Sequence, residues 1–573
     1  MMSLQIVLLL LSMLMFGASS VNSQTFIIPL NESTILLDKQ LFSNFININA
    51  SSTIGLDFIG INSNVSFIIF QVHSHKYNVN VYSKTYTEVT GQNIGLYSLT
   101  KPKPDVFYIE NRNTFNLKLL ISVYGYRERD PVPGGCNMEF PVPVSPFMRT
   151  SYHTDYIFID AAPARYYNDI QCLKYNVVNV EFYVMYLPAR SYDEDTYFNG
   201  IKDMMSKESI IQNGYNIPKS YWPMRRMLSA FTGTGTIFAA VATDVENPEY
   251  YSVYIPTHNY SCMSTPDEDG CEILEDDLSK FVCATLLFAG LFMCYFGHRF
   301  FKTEMFLFGM LSGVMITFIL ISMIADLDKA ALISASVLSG VFFGAIWVTF
   351  WWFYGIPIIA VTLPALNLGF LLSAIVYNRF PGNIALIQEN FNFWTIFILV
   401  MVLATTILIS MTFEANILCC AVLGAYAAVY PIDIYLGSNL KYIIINTVRR
   451  AVVPKFNNAA ILTPFGWRDI LVVIVWVSLA VSGFVFQYYN NRGRPPFPPP
   501  PRSVRPTRPE GYDAIPETTS TSTVGGRSTR PEGYGAIPQT TRNAEPSAPT
   551  ISYPTGNIID ERKRLMAWVD STY

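Results

Sequence analysis

The chain has 573 residues, with 39 Lys and Arg against 43 Asp and Glu for a formal charge of −4; 51% of its residues are hydrophobic and only 14% charged. That balance leaves no general excess of cations for a polyanion and argues against a nucleic-acid-binding protein. The apolar residues concentrate between Phe281 and Tyr488, and the residues beyond are rich in Pro, Thr, Ser and Arg, which is the pattern of a membrane protein with a disordered tail.

Ile6 to Phe16 form a short apolar run followed by Gly17, Ala18, Ser19, Ser20 and Ser23. The run is too short to cross a bilayer and is followed by small residues, so residues 1–23 read as a secretory signal peptide, although no Lys or Arg precedes the run. The segment that follows is then expected in an oxidising compartment. The N-x-[ST] sequons at Asn31, Asn49, Asn64 and Asn259 all precede the first apolar span, as glycosylation on the exported side requires. Cys136, Cys172, Cys262 and Cys271 lie in the same part, whereas Cys283, Cys294, Cys419 and Cys420 fall in apolar spans. Four exported cysteines suggest two disulfides with three possible pairings. Cys262 with Cys271 would close a small polar loop and is preferred, which leaves Cys136 with Cys172.

From Gln24 to residue 278 the pattern is strand-like. Val65 to Val72, Phe115 to Val123, Val177 to Tyr186, Thr236 to Ala242 and Tyr250 to Ile255 are the clearest β-branched and aromatic runs. Asp193 to Asn213 interrupts them with Phe198, Ile201, Met204 and Met205 at helical spacing, ending at Gly214. The expectation is two sandwich-like β modules, 24–130 and 131–278, divided near the Pro- and Gly-rich turn at Asp130 to Gly135. His73 and His75 sit two apart on a strand and could share a metal; with no accompanying ligands the expectation is a solvated strand face.

Residues 279–490 read as a seven-helix transmembrane domain, with spans near 279–297, 305–325, 331–351, 355–377, 393–412, 415–435 and 469–488. With the N-terminus outside, His298, Arg299 and Lys302 in the first loop and Arg492 and Arg494 after the last span fall in the cytosol, as the positive-inside rule prefers. One loop conflicts. The stretch between the sixth and seventh spans carries Lys441, Arg449, Arg450, Lys455 and Arg468, yet the count puts it outside; an interfacial helix over Tyr442 to Pro454, lying on the bilayer, is the expected resolution. Gly309-x-x-x-Gly313, Gly340-x-x-x-Gly344, Ala365-x-x-x-Gly369 and Gly424-x-x-x-Ala428 place small residues one turn apart for close packing within the bundle. Pro357, Pro364 and Pro431 can kink the fourth and sixth spans.

The bundle offers little chemistry. The five histidines are His73, His75, His153, His258 and His298, too few and too scattered for an intramembrane zinc hydrolase. Glu304, Asp326, Glu414, Asp433 and Asp469 all fall at span ends, where a proton relay would want carboxylates at mid-depth. No phosphate loop or nucleophile elbow is present, so the chain reads as a non-enzyme without cofactor.

The tail, 491–573, opens with Arg492-Gly-Arg-Pro495-Pro-Phe-Pro498, an Arg-x-x-Pro-x-x-Pro pattern suited to an SH3 or WW partner or to a stiff spacer. Farther on, Thr507 to Pro516 recurs as Thr529 to Pro538, setting Tyr512 and Tyr534 in one frame as a bivalent linear motif or a simple duplication.

Several segments carry a family resemblance: Ser63-Asn-Val-Ser-Phe-Ile-Ile-Phe-Gln-Val-His73, Glu128-Arg-Asp-Pro-Val-Pro-Gly-Gly-Cys-Asn137, Tyr254-Ile-Pro-Thr-His-Asn-Tyr-Ser-Cys262, Phe296-Gly-His-Arg-Phe-Phe-Lys-Thr-Glu304, and Ala480-Val-Ser-Gly483 leading to Gly493-Arg-Pro. In this order, from about residue 60 to 500, they resemble the transmembrane 7 superfamily member 3 family. The duplicated Tyr motif and Trp568 to Tyr573 do not match the family pattern, so no family property extends to the tail. The resemblance implies a glycosylated seven-span protein of the secretory-pathway and plasma membranes, linked to cell survival and to restraint of the unfolded-protein response, with structural roles for Cys136 and Cys262 and no known enzymatic activity. Protein partners would then meet the exported part, and the lipid bilayer the spans. The competing expectation is an orphan seven-helix receptor signalling through its tail, though the loops lack Asp-Arg-Tyr after the third span and Asn-Pro-x-x-Tyr in the seventh.

Overall fold

The computed structural model describes residues 24–30, 39–85, 88–136, 148–169, 171–172, 178–220, 222–262, 271, 277–325, 327–379 and 385–498. Alternating apolar residues between Gln24 and Tyr126 build a two-sheet sandwich. One sheet is ordered β1 (Gln24–Pro29), β3 (Ser52–Ile59), β8 (Phe107–Asn111), β5 (Val79–Tyr82), β6 (Val89–Gly91), and the other β2 (Gln40–Ile48), β9 (Leu117–Tyr126), β4 (Phe67–Ser74), β7 (Asn93–Leu99). Leu56, Phe58, Phe70, Val72, Phe107 and Ile121 meet between the sheets.

Strand β4 is buried along its whole length because both of its faces are covered. Ile68, Phe70 and Val72 face the sandwich interior, while Phe67 and Ile69, one residue out of phase, face a second domain. That phase carries His73 inward as well. His73 is fully buried, not on a solvated strand face as the sequence suggests, because the covering residues come from a distant part of the chain.

The second domain pairs the sheet β10 (Met148–Tyr152), β11 (Tyr156–Ala161), β14 (Arg225–Ser229) with the sheet β13 (Tyr215–Ile217), β12 (Val178–Tyr186), β15 (Thr236–Asp244), β16 (Tyr251–Val253); β17 (Thr257–Asn259) adds to β15. The helical interruption is two helices, α1 (Glu194–Asp203) and α2 (Lys207–Asn213). The break falls at Met204 to Ser206, where Ser206 leaves helical geometry and its hydroxyl caps the Ser209 N–H. Tyr197, Phe198 and Ile201 of α1 bury against Phe67, Ile69 and Leu120 of the first domain, so one apolar core spans both domains.

The helices that follow are α3 (Asp277–Phe296), α4 (Phe301–Ile324), α5 (Lys329–Tyr354), α6 (Pro357–Arg379), α7 (Ala385–Gln388), α8 (Asn390–Ile409), α9 (Thr412–Leu436), α10 (Tyr442–Val452) and α11 (Trp467–Asn491). Six are long and apolar enough to cross a bilayer among the described residues: α4, α5, α6, α8, α9 and α11. The first expected span coincides with α3, of 20 residues, within which Lys280–Phe296 is apolar, so six of the seven expected spans meet that criterion among the described residues. Pro357 begins α6 instead of kinking it, since a proline at the first helical position gives up no bond.

The small-residue motifs of α4 and α5 pack against each other inside the bundle. A Cβ on Gly309 would lie 2.8 Å from the Gly344 Cα, and one on Gly313 3.0 Å from the Gly340 Cα, so α4 and α5 meet backbone to backbone. Gly424 approaches Cys294 and Gly290 approaches Ala428 in the same way, joining α9 to α3. The β domains and the helices form one compact unit.

Candidate functional site

The segment between α9 and α11 is where the second β domain meets the bundle. Helix α9 ends at Gly437 in a left-handed conformation, and the chain turns back over the buried Asp433 carboxylate, which accepts from the Leu440 and Lys441 N–H groups at 2.9 and 3.1 Å and from the Ser438 hydroxyl. Lys441 Nζ reaches the same carboxylate at 3.4 Å. Helix α10 then runs beneath the β domain, and β18 (Ala459–Ala460) joins β14 as a parallel fourth strand of its sheet. Phe456, fully buried, and Ala460 enter the cores of that junction.

Cations hold the junction from both sides. Arg449 donates to Asp155 Oδ1 at 2.9 Å, Ser229 Oγ at 3.2 Å, the Ala230 carbonyl at 2.8 Å and the Thr154 carbonyl at 3.2 Å. Arg190 of the β domain donates to the Tyr435 and Ile434 carbonyls at 2.8 and 2.7 Å, satisfying the open end of α9, and Arg468 returns a bond to the Ala189 carbonyl at 2.9 Å. Ser229 donates to Asn446, and Asn446 to Asn378 of α6, a hydrogen-bonded path from β sheet to span. Arg450 turns the other way, donating to the Ile387 carbonyl at 2.9 Å and lying 4.7 Å from the Phe393 ring. The loop is therefore an amphipathic helix as expected, with its Arg pair buried in protein. A charge count weighs these cations as free; in the fold Arg449 is matched by Asp155 and by carbonyls, and Arg450 by the Ile387 and Gln388 carbonyls and the Phe393 ring.

A second polar cluster lies between the two β domains. His73 Nδ1 is 2.8 Å from Asn93 Oδ1, which also accepts from Tyr197 at 2.7 Å, and Asn93 Nδ2 lies 3.5 Å from His258 Nδ1. His75 and His258 pack on the Tyr197 ring at 5.2 and 4.8 Å. Burial holds His73 down at about 4 and, helped by the neighbouring histidines, His258 at about 3; His75 is lowered too, chiefly by burial. No cluster of metal-binding geometry occurs among the described residues. Sequence reading joined His73 to His75 but missed His258, which stands between Thr257 and Asn259 with no ligand pattern around it.

At the opposite end of the bundle, the Asn416 amide donates to Glu304 and sits 3.0 Å from His298, and Gln487 accepts from the His298 N–H at 3.0 Å. Phe497 of the Pro-rich segment closes over this cluster, 5.8 Å from the His298 ring and 5.4 Å from Phe301.

Of the other sequence-derived positions, Cys136 is bonded to Cys172 and Cys262 to Cys271. Asn49 and Asn64 are exposed and Asn259 is half-buried, its side chain accepting from the Ser261 N–H. Arg492 and Pro495 are exposed and Pro498 is half-buried. The signal segment, Asn31, Tyr512 and Tyr534 lie outside the described residues.

Two β sandwiches set on a bundle of apolar helices define a membrane protein with immunoglobulin-like domains. Residues 34–126 match the family model described as the TM7SF3-like N-terminal immunoglobulin-like domain, 131–265 the TM7SF3-like second immunoglobulin-like domain, and 283–488 the TM7S3/TM198-like domain. The chain is 31% identical over 466 residues to transmembrane 7 superfamily member 3 of Rattus norvegicus, spanning 77% of this chain and 81% of the relative. It is 30% identical over 465 residues to the proteins of that name from Mus musculus and Homo sapiens, spanning 77% of this chain and 81% and 80% of theirs. The chain belongs to the transmembrane 7 superfamily member 3 family.

Proposed function

We propose that this protein is a non-enzymatic membrane glycoprotein of the secretory pathway, reaching the plasma membrane, that supports cell survival and restrains the unfolded-protein response. Its β domains face the lumen or the exterior and take protein partners, and its tail faces the cytosol. The observation that carries the reading is the junction itself: the loop between the last two spans donates a strand to the second β domain and buries Arg449 in it, so that a load on the β domains is transmitted to α9 and α11 as one body. Family membership supports the same reading.

The test is an unfolded-protein-response reporter in cells lacking the protein, with and without a folding challenge, complemented by the full chain, a chain ending at Arg494, or the Arg449→Ala chain. A raised response corrected by the first two and not by the third is expected. An unchanged response in the deficient cells overturns the reading. The same coupling would also serve a receptor, and correction that depends on the tail would favour that second reading.

A further inference from the structure

Under the second β domain, on the flank of the bundle, lies a cavity of about 510 Å3, within the range of roughly 300–1,000 Å3 usual for small-molecule sites. Its walls are apolar, from Ile375 of α6, Leu440 of the loop, and Val473 and Trp476 of α11. Its roof is Tyr186 and Tyr215 of the β domain. Most polar groups in the lining are occupied: Asp469 accepts from the Asn439 and Gly466 N–H groups at 2.6 and 2.8 Å, Asn439 donates to the Pro464 carbonyl, and Asn378 to the Ala374 and Ile443 carbonyls.

Three further lining groups could meet a ligand. Arg379, the last residue of α6, forms no ion pair among the described residues and lies 5.2 Å from the Phe465 ring. The Thr463 hydroxyl is buried without a hydrogen-bond partner among the described residues, and the Tyr186 hydroxyl belongs to the same lining. Burial raises the Tyr186 phenol far above its ordinary range, so it stays a donor. A fixed cation and two hydroxyls at one apolar cavity match a compact anion carried on an apolar chain. The position matches as well. The outer faces of α6 and α11 beside the cavity expose Leu372, Val376, Ile470 and Ile474, the surface a bilayer's acyl chains would cover, and Arg379 stands at the end of α6, where a cation would meet lipid headgroups.

We infer that this cavity binds a single-chain amphiphile with an anionic head, such as a fatty acid or a lysophospholipid with an acidic headgroup, its head at Arg379, Tyr186 and Thr463 and its chain along Ile375, Val473 and Trp476. The site is independent of the stress-response reading and stands whichever way that is resolved.

The full chain, in nanodiscs of neutral phospholipid, is photolabelled with a diazirine analogue of palmitate, and the labelled peptides are mapped. Labelling on α6, α11 or residues 461–465 that palmitate competes for and hexadecanol does not is expected. Arg379→Gln should lower it about tenfold or more, as expected for loss of a charge-assisted hydrogen bond, and Val473→Trp, which fills the cavity, should abolish it. Because Arg379 is exposed and forms no ion pair among the described residues, that variant keeps the parent's thermal stability. Repeating the labelling with a diazirine lysophosphatidylglycerol in the bilayer separates the sources: labelling by the free acid alone assigns a free fatty acid, and labelling by the lysolipid as well assigns a single-chain membrane lipid. Equal competition by hexadecanol, labelling elsewhere, or an unaffected Arg379→Gln chain overturns the inference.

Discussion

Arg449 and Asp155 stand 294 positions apart in the chain and meet at 2.9 Å, one on the loop between the last two spans and the other on the second β domain. Asp155 keeps 41% of its side-chain exposure, so the ion pair proper contributes only about 0–1 kcal/mol. The larger contribution comes from the buried bonds of the same guanidinium to Ser229 and the Ala230 carbonyl, about 1.5–3 kcal/mol for a hydrogen bond to a charged group. Arg449→Ala should therefore destabilise the junction by several kcal/mol and Asp155→Asn by less than about 1 kcal/mol. Thermal unfolding of the two variants in detergent reads the difference, and equal losses would place the strength in the ion pair instead.

The histidines between the β domains give a pH dependence of defined sign. In the unfolded chain a histidine titrates near 6.5, and in the fold His73 does so at about 4 and His258 at about 3. The unfolded state thus binds more protons at mildly acid pH, so stability is full above about pH 6.5 and falls as the pH drops toward 4. For His73 alone the loss between pH 7 and pH 5 is about 2 kcal/mol. The groups facing the cluster are Gln71, Asn93, Tyr197 and Tyr260, with Asp193, Glu194 and Lys76 near His75, and neither carboxylate acts on His73 or His258. The full chain's melting temperature should fall from pH 7 to pH 5, and His258→Asn should flatten that slope. A slope unchanged by His258→Asn would assign the acid sensitivity to other groups.

Elements that stand on their own periodicity were legible in sequence. The run Val178–Tyr186 forms β12 because alternate apolar and polar residues suit a half-covered strand, and each expected span coincides with a helix because some twenty apolar residues have few other solutions. What escaped is set by partners far along the chain. Ala459–Ala460 has no period of its own and is a strand only because Met227 and Leu228 lie beside it. His73 is buried by a helix pair more than a hundred residues later, and the arginines of the loop carry a charge that only Asp155 and the carbonyls around it account for. The helix break at Met204 to Ser206 was hidden because Met204 and Met205 continue the apolar spacing while Ser206 supplies the cap.

The contact of α4 with α5 depends on glycine at four positions. A side chain on Gly344 would start 2.6 Å from the Phe306 carbonyl, and neither backbone can yield without opening the pair. Gly344→Val should cost several kcal/mol through overpacking and a lost close approach, and should appear as reduced monodisperse yield in detergent. Gly493→Ala is the matched control, with nothing within 4 Å and a φ of +82° that costs about 1 kcal/mol. Similar yields for the two would mean that the helices are not in backbone contact.

Phe497 makes the Pro-rich segment part of the bundle. The ring lies against His298 and Phe301, and Pro498 beside it is half-buried, while Arg492 and Pro495 are exposed. An SH3 groove reads both prolines of an Arg-x-x-Pro-x-x-Pro ligand together with the arginine, so a partner must first lift Phe497 and Pro498 from the helices. Burying a phenylalanine side chain stabilises by about 1.5–3 kcal/mol, and recovering even half of that on release corresponds to a several-fold change in affinity. A peptide covering residues 492–502 should therefore bind a class-matched SH3 domain several-fold more tightly than the full chain does, and Phe497→Ala in the full chain should close most of that gap. Titration of a fluorescent SH3 domain into detergent-solubilised protein measures both. Equal affinity for peptide and parent chain would show that the packing of Phe497 does not compete with binding, and no binding to either would remove the SH3 reading of the segment.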